Sequence, residues 1–330
     1  SCQNIQKSKV DITKKDLYQI VDFLASDSLK GRLPGTPYDK VSAKYIGDQF
    51  ESFGLKSLTE NGYQTMDIII EQKPGLKNSL SINGNEQKYD VNFSTLPFSS
   101  TGNLDATIVF VGFGFKINNE KLLWNDYQAV DVTNKWVLIL RGDPEPDSLQ
   151  RVFINQSSDR NKTLIAKDMG AKGVILVSGN AYDPNDKLAS MSEKSYDIGI
   201  PVIQVKRDVA NSILNGQSTI EELEKFLIKD RHPHSLELQT KITASTDVIN
   251  ETKTTQNVIA KLEGSDPKLK NEVIVIGAHF DHLGMGGKNS SSRRPDAIAV
   301  HNGADDNASG VAAMIELAQK LASKHKKIKR

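Results

Sequence analysis

Glu272-Val273-Ile274-Val275-Ile276-Gly277-Ala278-His279-Phe280-Asp281-His282-Leu283-Gly284 is the stretch on which the fold reading turns. Its first half is a continuous β-branched run. Such a run predicts a strand buried on both faces, as in a sheet covered by helices, and places the chain in the α/β class. Open α/β sheets hold their sites in the crevice beyond the carboxyl ends of the strands, and this strand ends on a histidine. On an extended backbone positions 279 and 281 point the same way, so an imidazole and a carboxylate share one face. A carboxylate beside a metal-bound histidine fixes its tautomer and raises its basicity. By itself His-x-Asp is weak evidence, because such triplets arise by chance in many chains.

Working toward the C-terminus, Asn302-Gly303-Ala304-Asp305-Asp306-Asn307-Ala308-Ser309-Gly310 opens a helix. Val311, Ile315, Ala318 and Ala322 hold one stripe of it, widened by Met314, Leu317 and Leu321. Asp-Asn-Ala-Ser at a helix start is also what capping alone would select, because these side chains satisfy orphan N–H groups. Two successive aspartates go beyond that need. Neighbouring carboxylates repel unless a cation or a donor compensates them, and a carboxylate can bridge two metals about 3.5–4 Å apart.

Working back toward the N-terminus, the first 55 residues read as two helices around a turn. Thr13 and Asp16 form an N-cap pair, and Leu17, Ile20, Val21 and Leu24 recur at helical spacing. Lys30-Gly31-Arg32-Leu33-Pro34-Gly35-Thr36 breaks the periodicity, with Arg32 expected as an exposed loop residue. The second helix carries Ala43, Ile46, Phe50 and Phe53 and ends at Gly54, a C′ glycine. Short strands follow at 65–70, 79–82 and 107–111. Three buried-strand runs come next, Trp136 to Leu140, Gly173 to Val177 and Pro201 to Val205, with a helix at 162–169 between the first two. This alternation predicts a parallel element with crossovers. Glu221 to Ile228 reads as a surface helix, and His232-Pro233-His234 as a plain loop and not a metal clip.

Composition excludes several classes. Over 330 residues the chain is 38% hydrophobic and 25% charged, which fits an ordinary globular protein of about two domains. Forty-two Lys and Arg against 41 Asp and Glu leave a net charge of +1, which gives no support to nucleic-acid binding. No run of 18 uncharged apolar residues exists to span a membrane. The single cysteine, Cys2, reads two ways: as a free thiol at a frayed terminus, or as a bacterial lipoprotein cysteine preceded by the last residue of a removed signal.

Taken together, G-A-H-F-D-H-L-G and N-G-A-D-D-N-A-S-G resemble the co-catalytic di-zinc aminopeptidase and glutamate carboxypeptidase family. G-R-L-P-G-T is similar to that family's N-terminal segment. Asp126-Tyr127, the strand Lys135 to Leu140, Gly170 to Ile175 and Ile200 to Ile203 resemble the protease-associated domain that many members carry as an insertion. The resemblance implies a three-layer helix-sheet-helix zinc exopeptidase fold. Its parts would be N-terminal helices and the first catalytic portion at 1–84, the β-rich α/β insertion at 85–245, and the front part only of the catalytic domain at 246–330, which leaves that fold incomplete at the C-terminus.

It also implies the chemistry. His279 matches a zinc ligand, Asp281 the catalytic aspartate that orients it, and Asp306 the carboxylate bridging two zinc ions, with a cis bond to Asn307. His282 and His301 would line the cleft or face solvent, and Asp305 matches no ligand. The activity implied is hydrolysis of terminal peptide bonds, aminopeptidase above carboxypeptidase, by a metal-activated water. A non-catalytic receptor-like or scaffold relative and a cyclase-type acyltransferase are the rival readings. The family's remaining ligands and its Glu-Glu general base have no counterpart after Asn307, so residues 1–330 are expected to be inactive alone. The expected partners are a peptide substrate, a lipid anchor at Cys2 and a second copy at an open sheet edge, beside an uncovered helix face at Val311 and Ile315. The expected location is extracytoplasmic.

Overall fold

The computed structural model describes residues 11–120, 122–145, 152–191, 194–287, 290–324 and 328–329. Cys2 lies outside them. Thr13 accepts a hydrogen bond from the backbone N–H of Asp16 at 3.2 Å and caps the first helix, α1 (Lys14–Leu24). Thr36 caps α2 (Pro37–Ser52), which has proline in its first turn, where no N–H is needed. Gly54 follows at φ +79°, as a C′ glycine should.

Strands then dominate: β1 (Lys56–Ser57), β2 (Tyr63–Pro74), β3 (Ser79–Ile82), β4 (Asn85–Gln87), β5 (Phe93–Thr95), β6 (Gly102–Val111), β7 (Lys116–Asn119), β8 (Leu122–Asn125) and β9 (Trp136–Leu140). Helix α3 (Asp159–Asp168) precedes β10 (Gly173–Val177) and β11 (Val202–Val205). Next come α4 (Arg207–Leu214) and α5 (Ile220–Asp230), the latter closed by a Thr219/Glu222 capping box. Strands β12 (Ser235–Thr246), β13 (Val248–Val258) and β14 (Ala260–Lys261) lead back, and α6 (Ser309–Ser323) is the last element among the described residues.

Two compact units result. One joins Ser1–Ile68 to Thr252–Arg330, and Ile69–Glu251 is inserted within it. The insertion begins earlier and ends later than the expected 85–245. Its first extra residues include β3, which pairs with both β4 and β12 and so belongs to the inserted sheet. The two-stranded β2–β13 ribbon carries the chain out and back.

The inserted unit is built on an eight-stranded sheet in the order β4-β3-β12-β6-β9-β10-β11-β5. Strands β6, β9, β10 and β11 run parallel, and the flanking pairs are antiparallel. Alternation along each central strand divides the core in two, as a period of two demands. Trp136, Leu138 and Leu140 face one apolar layer with Ile213, Leu214 and Leu227 of α4 and α5. Val137 and Ile139 face the other, with Ala166 of α3. Both faces being covered explains why β9, β10 and β11 read as unbroken apolar runs.

In the discontinuous unit the core is helical. Ile20, Leu24, Leu29, Ile46 and Phe50 pack with Ala308, Val311, Ala312 and Ile315 of α6. Two expectations are corrected here. Val311 and Ile315 have no solvent exposure, because α1 and α2 cover the helix face that had been expected to lie open. The run at 273–276 forms no strand, and Val273 and Val275 are 79% and 86% exposed. β-Branching favours a half-buried pleated surface but does not supply one. Among the described residues no strand lies beside this run to take its hydrogen bonds, while the chain as a whole has the mixed α/β architecture expected of it.

Candidate functional site

The site is assembled by the loop at 30–36. Asp39, itself buried, accepts from the Gly35 N–H at 3.0 Å and from the Thr255 hydroxyl at 2.7 Å, and Thr36 donates its hydroxyl to the Leu33 carbonyl at 2.6 Å. So pinned, the loop presents Gly31 and Arg32 to both motif segments. The Gly284 N–H donates to the Gly31 carbonyl at 3.0 Å, and the His282 N–H to the Arg32 carbonyl at 3.2 Å. Gly31 has φ +70°, and a Cβ there would lie 2.4 Å from the Gly284 carbonyl oxygen and 2.6 Å from that of His301. Only glycine fits both demands.

Arg32 was expected to be exposed and is fully buried. Its Nε donates to the Phe280 carbonyl at 2.7 Å, Nη1 to those of Asn302 at 2.7 Å and Leu24, and Nη2 to that of Gly303 at 3.0 Å. Nothing in the periodicity marks it. The only available signal is its place between two glycines in a loop that breaks a helical pattern. Asn302, also missed, donates to the Ala25 carbonyl and to Asp27 Oδ1, both at 2.8 Å, which ties its segment to the end of α1.

These contacts bring the sequence-predicted residues together. His279 Nε2 lies 3.1 Å from Asp306 Oδ1, and His279 Nδ1 lies 3.4 Å from Asp281 Oδ1. The Asp306–Asn307 bond is cis, and Asp306 (φ −115°, ψ 91°) and Asn307 (φ −138°, ψ 39°) depart from helical geometry just before α6. Asn307 Nδ2 donates to the His279 carbonyl at 3.3 Å. His282 is largely enclosed, with Nδ1 4.0 Å from Asp306 Oδ2 and its ring 6.2 Å from that of His301. Burial pushes the His282 imidazole below its usual value, against the pull of Asp306. Asp305 is exposed, and its carbonyl accepts from the Ser309 hydroxyl.

Two donors on one tetrahedral zinc, each about 2.0–2.1 Å from the ion, sit about 3.3 Å apart. The 3.1 Å between His279 Nε2 and Asp306 Oδ1 fits that spacing, with both side chains more than half exposed and open to an ion. The other imidazole nitrogen, Nδ1, faces Asp281, 3.4 Å from its Oδ1 and 3.3 Å from its backbone carbonyl oxygen. Among the described residues no group of three His, Cys, Asp or Glu side chains converges on one ion position, so the fit is that of a partial ligand set. The loop at 232–234 contributes nothing to it; the His234 ring packs on Phe226 at 4.9 Å.

Residues 257–330 match peptidase family M28, and residues 101–213 match the PA domain. The chain thus joins a segment similar to peptidase family M28 to a segment similar to the PA domain, which lies N-terminal to it. The PA match falls within the inserted unit, and the M28 match holds both motif segments. The chain is 24% identical over 241 residues to TRE2 of Saccharomyces cerevisiae, named as a zinc metalloprotease, across 71% of this chain and 26% of that protein. The chain is similar to the aminopeptidase of Aneurinibacillus sp. strain AM-1 (20% identity, TM-score 0.38, 96% of this chain and 60% of that one). It is also similar to BSAP, a zinc aminopeptidase of Bacillus subtilis (20% identity, TM-score 0.32, 95% and 59%). The chain thus spans about a quarter of the yeast relative and three fifths of these solved structures.

Proposed function

We propose that the full protein carrying this M28 segment is a zinc-dependent exopeptidase, an aminopeptidase in preference to a carboxypeptidase. The observation that carries the reading is the approach of His279 Nε2 to Asp306 Oδ1, from residues 27 positions apart in the chain and at the spacing of shared metal ligands. His279 and Asp306 would hold zinc, which would supply Lewis-acid polarisation of the scissile carbonyl and an acidified water. Asp281 would hold the His279 ring. With two of the required donors in place, residues 1–330 alone would bind zinc weakly and leave peptides intact.

The test is metal analysis of the full natural chain after dialysis, together with turnover of an aminoacyl chromogenic substrate and its N-acylated counterpart. About two zinc ions per chain and cleavage of the free-amine substrate are expected, with His279→Ala and Asp306→Ala lowering turnover at least roughly a hundredfold. No zinc and no turnover would leave the scaffold reading; one zinc with acyl transfer would favour a cyclase. Two further parts of the proposal have tests of their own. An extracytoplasmic lipoprotein anchored at Cys2 should incorporate labelled palmitate and lose it in Cys2→Ala. Pairing of two copies through the exposed apolar run at 273–276 should give a dimer by light scattering, since large exposed apolar patches associate.

A further inference from the structure

We propose that Arg32 is a positioning residue of the candidate zinc site, setting the His279–Asp306 spacing by gripping the main chain on both sides of it. The inference rests on the zinc peptidase reading above. Arg32 has no solvent exposure, and all four hydrogen bonds from its guanidinium end on carbonyls. Burying a cation is costly unless its donors are met. Here they are met by three segments far apart in sequence: the end of α1 at Leu24, the residue between His279 and Asp281, and the Asn302-Gly303 pair that leads into Asp306.

That choice of acceptors is the argument. A residue serving only to fill the core would need no polar head, and an apolar side chain of equal volume would tie none of these strands of chain together. The planar fork holds the 279–281 segment at 2.7 Å from Nε and the 302–303 segment at 2.7 and 3.0 Å from Nη1 and Nη2, so the two motif segments are spaced by one rigid group. Gly303 leaves room for it: a Cβ there would lie 2.7 Å from Nη2. Burial pushes the guanidinium below its usual value, and the charges of Asp281 and Asp306 partly oppose that cost. Lysine, a point charge on a flexible stem, would supply the charge without the fork.

The experiment compares the full natural chain with its Arg32→Gln and Arg32→Lys variants, and with Arg141→Lys in the other unit as a control. Zinc affinity is measured by chelator competition, the visible spectrum of the cobalt(II)-loaded protein reports ligand geometry, and far-UV ellipticity reports folding. Arg32→Gln should bind zinc about 10–100-fold more weakly with an altered cobalt spectrum, Arg32→Lys should fall between it and the unsubstituted protein, and Arg141→Lys should match the latter. If Arg32→Gln does not fold, the folded Lys variant decides by the same two readouts. Unchanged affinity and spectrum in the folded Arg32 variants would overturn the proposal, and so would failure of both to fold, which would make Arg32 a stabilising residue only. Absence of zinc binding by the unsubstituted chain would instead bring down the peptidase reading, and this inference with it.

Discussion

Replacing Gly31 by alanine tests whether the 30–36 loop is held as tightly against the motif segments as the geometry requires. At φ +70° an L-residue pays about 1–2 kcal/mol for the left-handed conformation. The new Cβ would also stand 2.4 Å from the Gly284 carbonyl oxygen, nearly an ångström inside contact distance. That oxygen cannot retreat freely, because the His301 N–H donates to it at 2.9 Å. Overpacking of this kind costs about 1–3 kcal/mol, and loosening one hydrogen bond adds about 1 kcal/mol. The expected loss is therefore about 3–6 kcal/mol.

Gly54→Ala is the matched control. It lies in the same unit at φ +79° with nothing within 4 Å of its Cβ, so it should carry the conformational cost alone, about 1–2 kcal/mol. Urea denaturation read by hydrogen exchange in α1 and α2 isolates this unit, since both tryptophans, Trp124 and Trp136, lie in the inserted one. A Gly31→Ala penalty no greater than that of Gly54→Ala would refute the close approach of these loops.

Other outcomes follow from the same reasoning. Gly173→Ala would drive a Cβ to 2.4 Å from the Trp136 ring and should cost the inserted unit about 1–3 kcal/mol, read as a lower urea midpoint in tryptophan fluorescence. Ile315→Ala should destabilise the helical core by about 2–5 kcal/mol in hydrogen exchange, since Ile315 is fully enclosed; a change below 1 kcal/mol would mean α1 and α2 do not cover it. Burial pushes Asp126 up from 3.8 to about 7, against the Phe115 N–H and Trp124, and burial lowers Lys162 from 10.5 to about 7. The Asp126 contribution is complete below pH 3.8 and lost as pH rises through 7, whereas that of Lys162 is complete above 10.5 and lost as pH falls through 7. Stability of the inserted unit should pass through a trough near pH 7, with Asp126→Asn flattening the acid limb and Lys162→Met the alkaline one; a flat profile in the unsubstituted protein would contradict both assignments.

Much of this molecule is written in local pattern. Strands β9 and β10 match their expected ranges because apolar runs between turns are decisive where both sheet faces are covered, and β3 matches because turn residues bound its alternating Leu80 and Ile82. Helices α1 and α2 follow from i, i+3, i+4 spacing and from Thr13, Thr36 and Gly54 at their ends. His279, Asp281 and Asp306 could be named because two short motifs fix residue types at close spacing, and these residues do meet. What the chain alone did not disclose is whatever depends on neighbours distant in sequence. Val273 to Ile276 has every local mark of a buried strand, yet a strand exists only where another backbone takes its hydrogen bonds. Val311 and Ile315 were expected to lie bare until α1 and α2, nearly 300 positions earlier, proved to cover them. Arg32 shows the same division most clearly: an arginine in a glycine-rich loop looks exposed, and only the convergence of Leu24, Phe280, Asn302 and Gly303 supplies the carbonyls that let a cation stay dry.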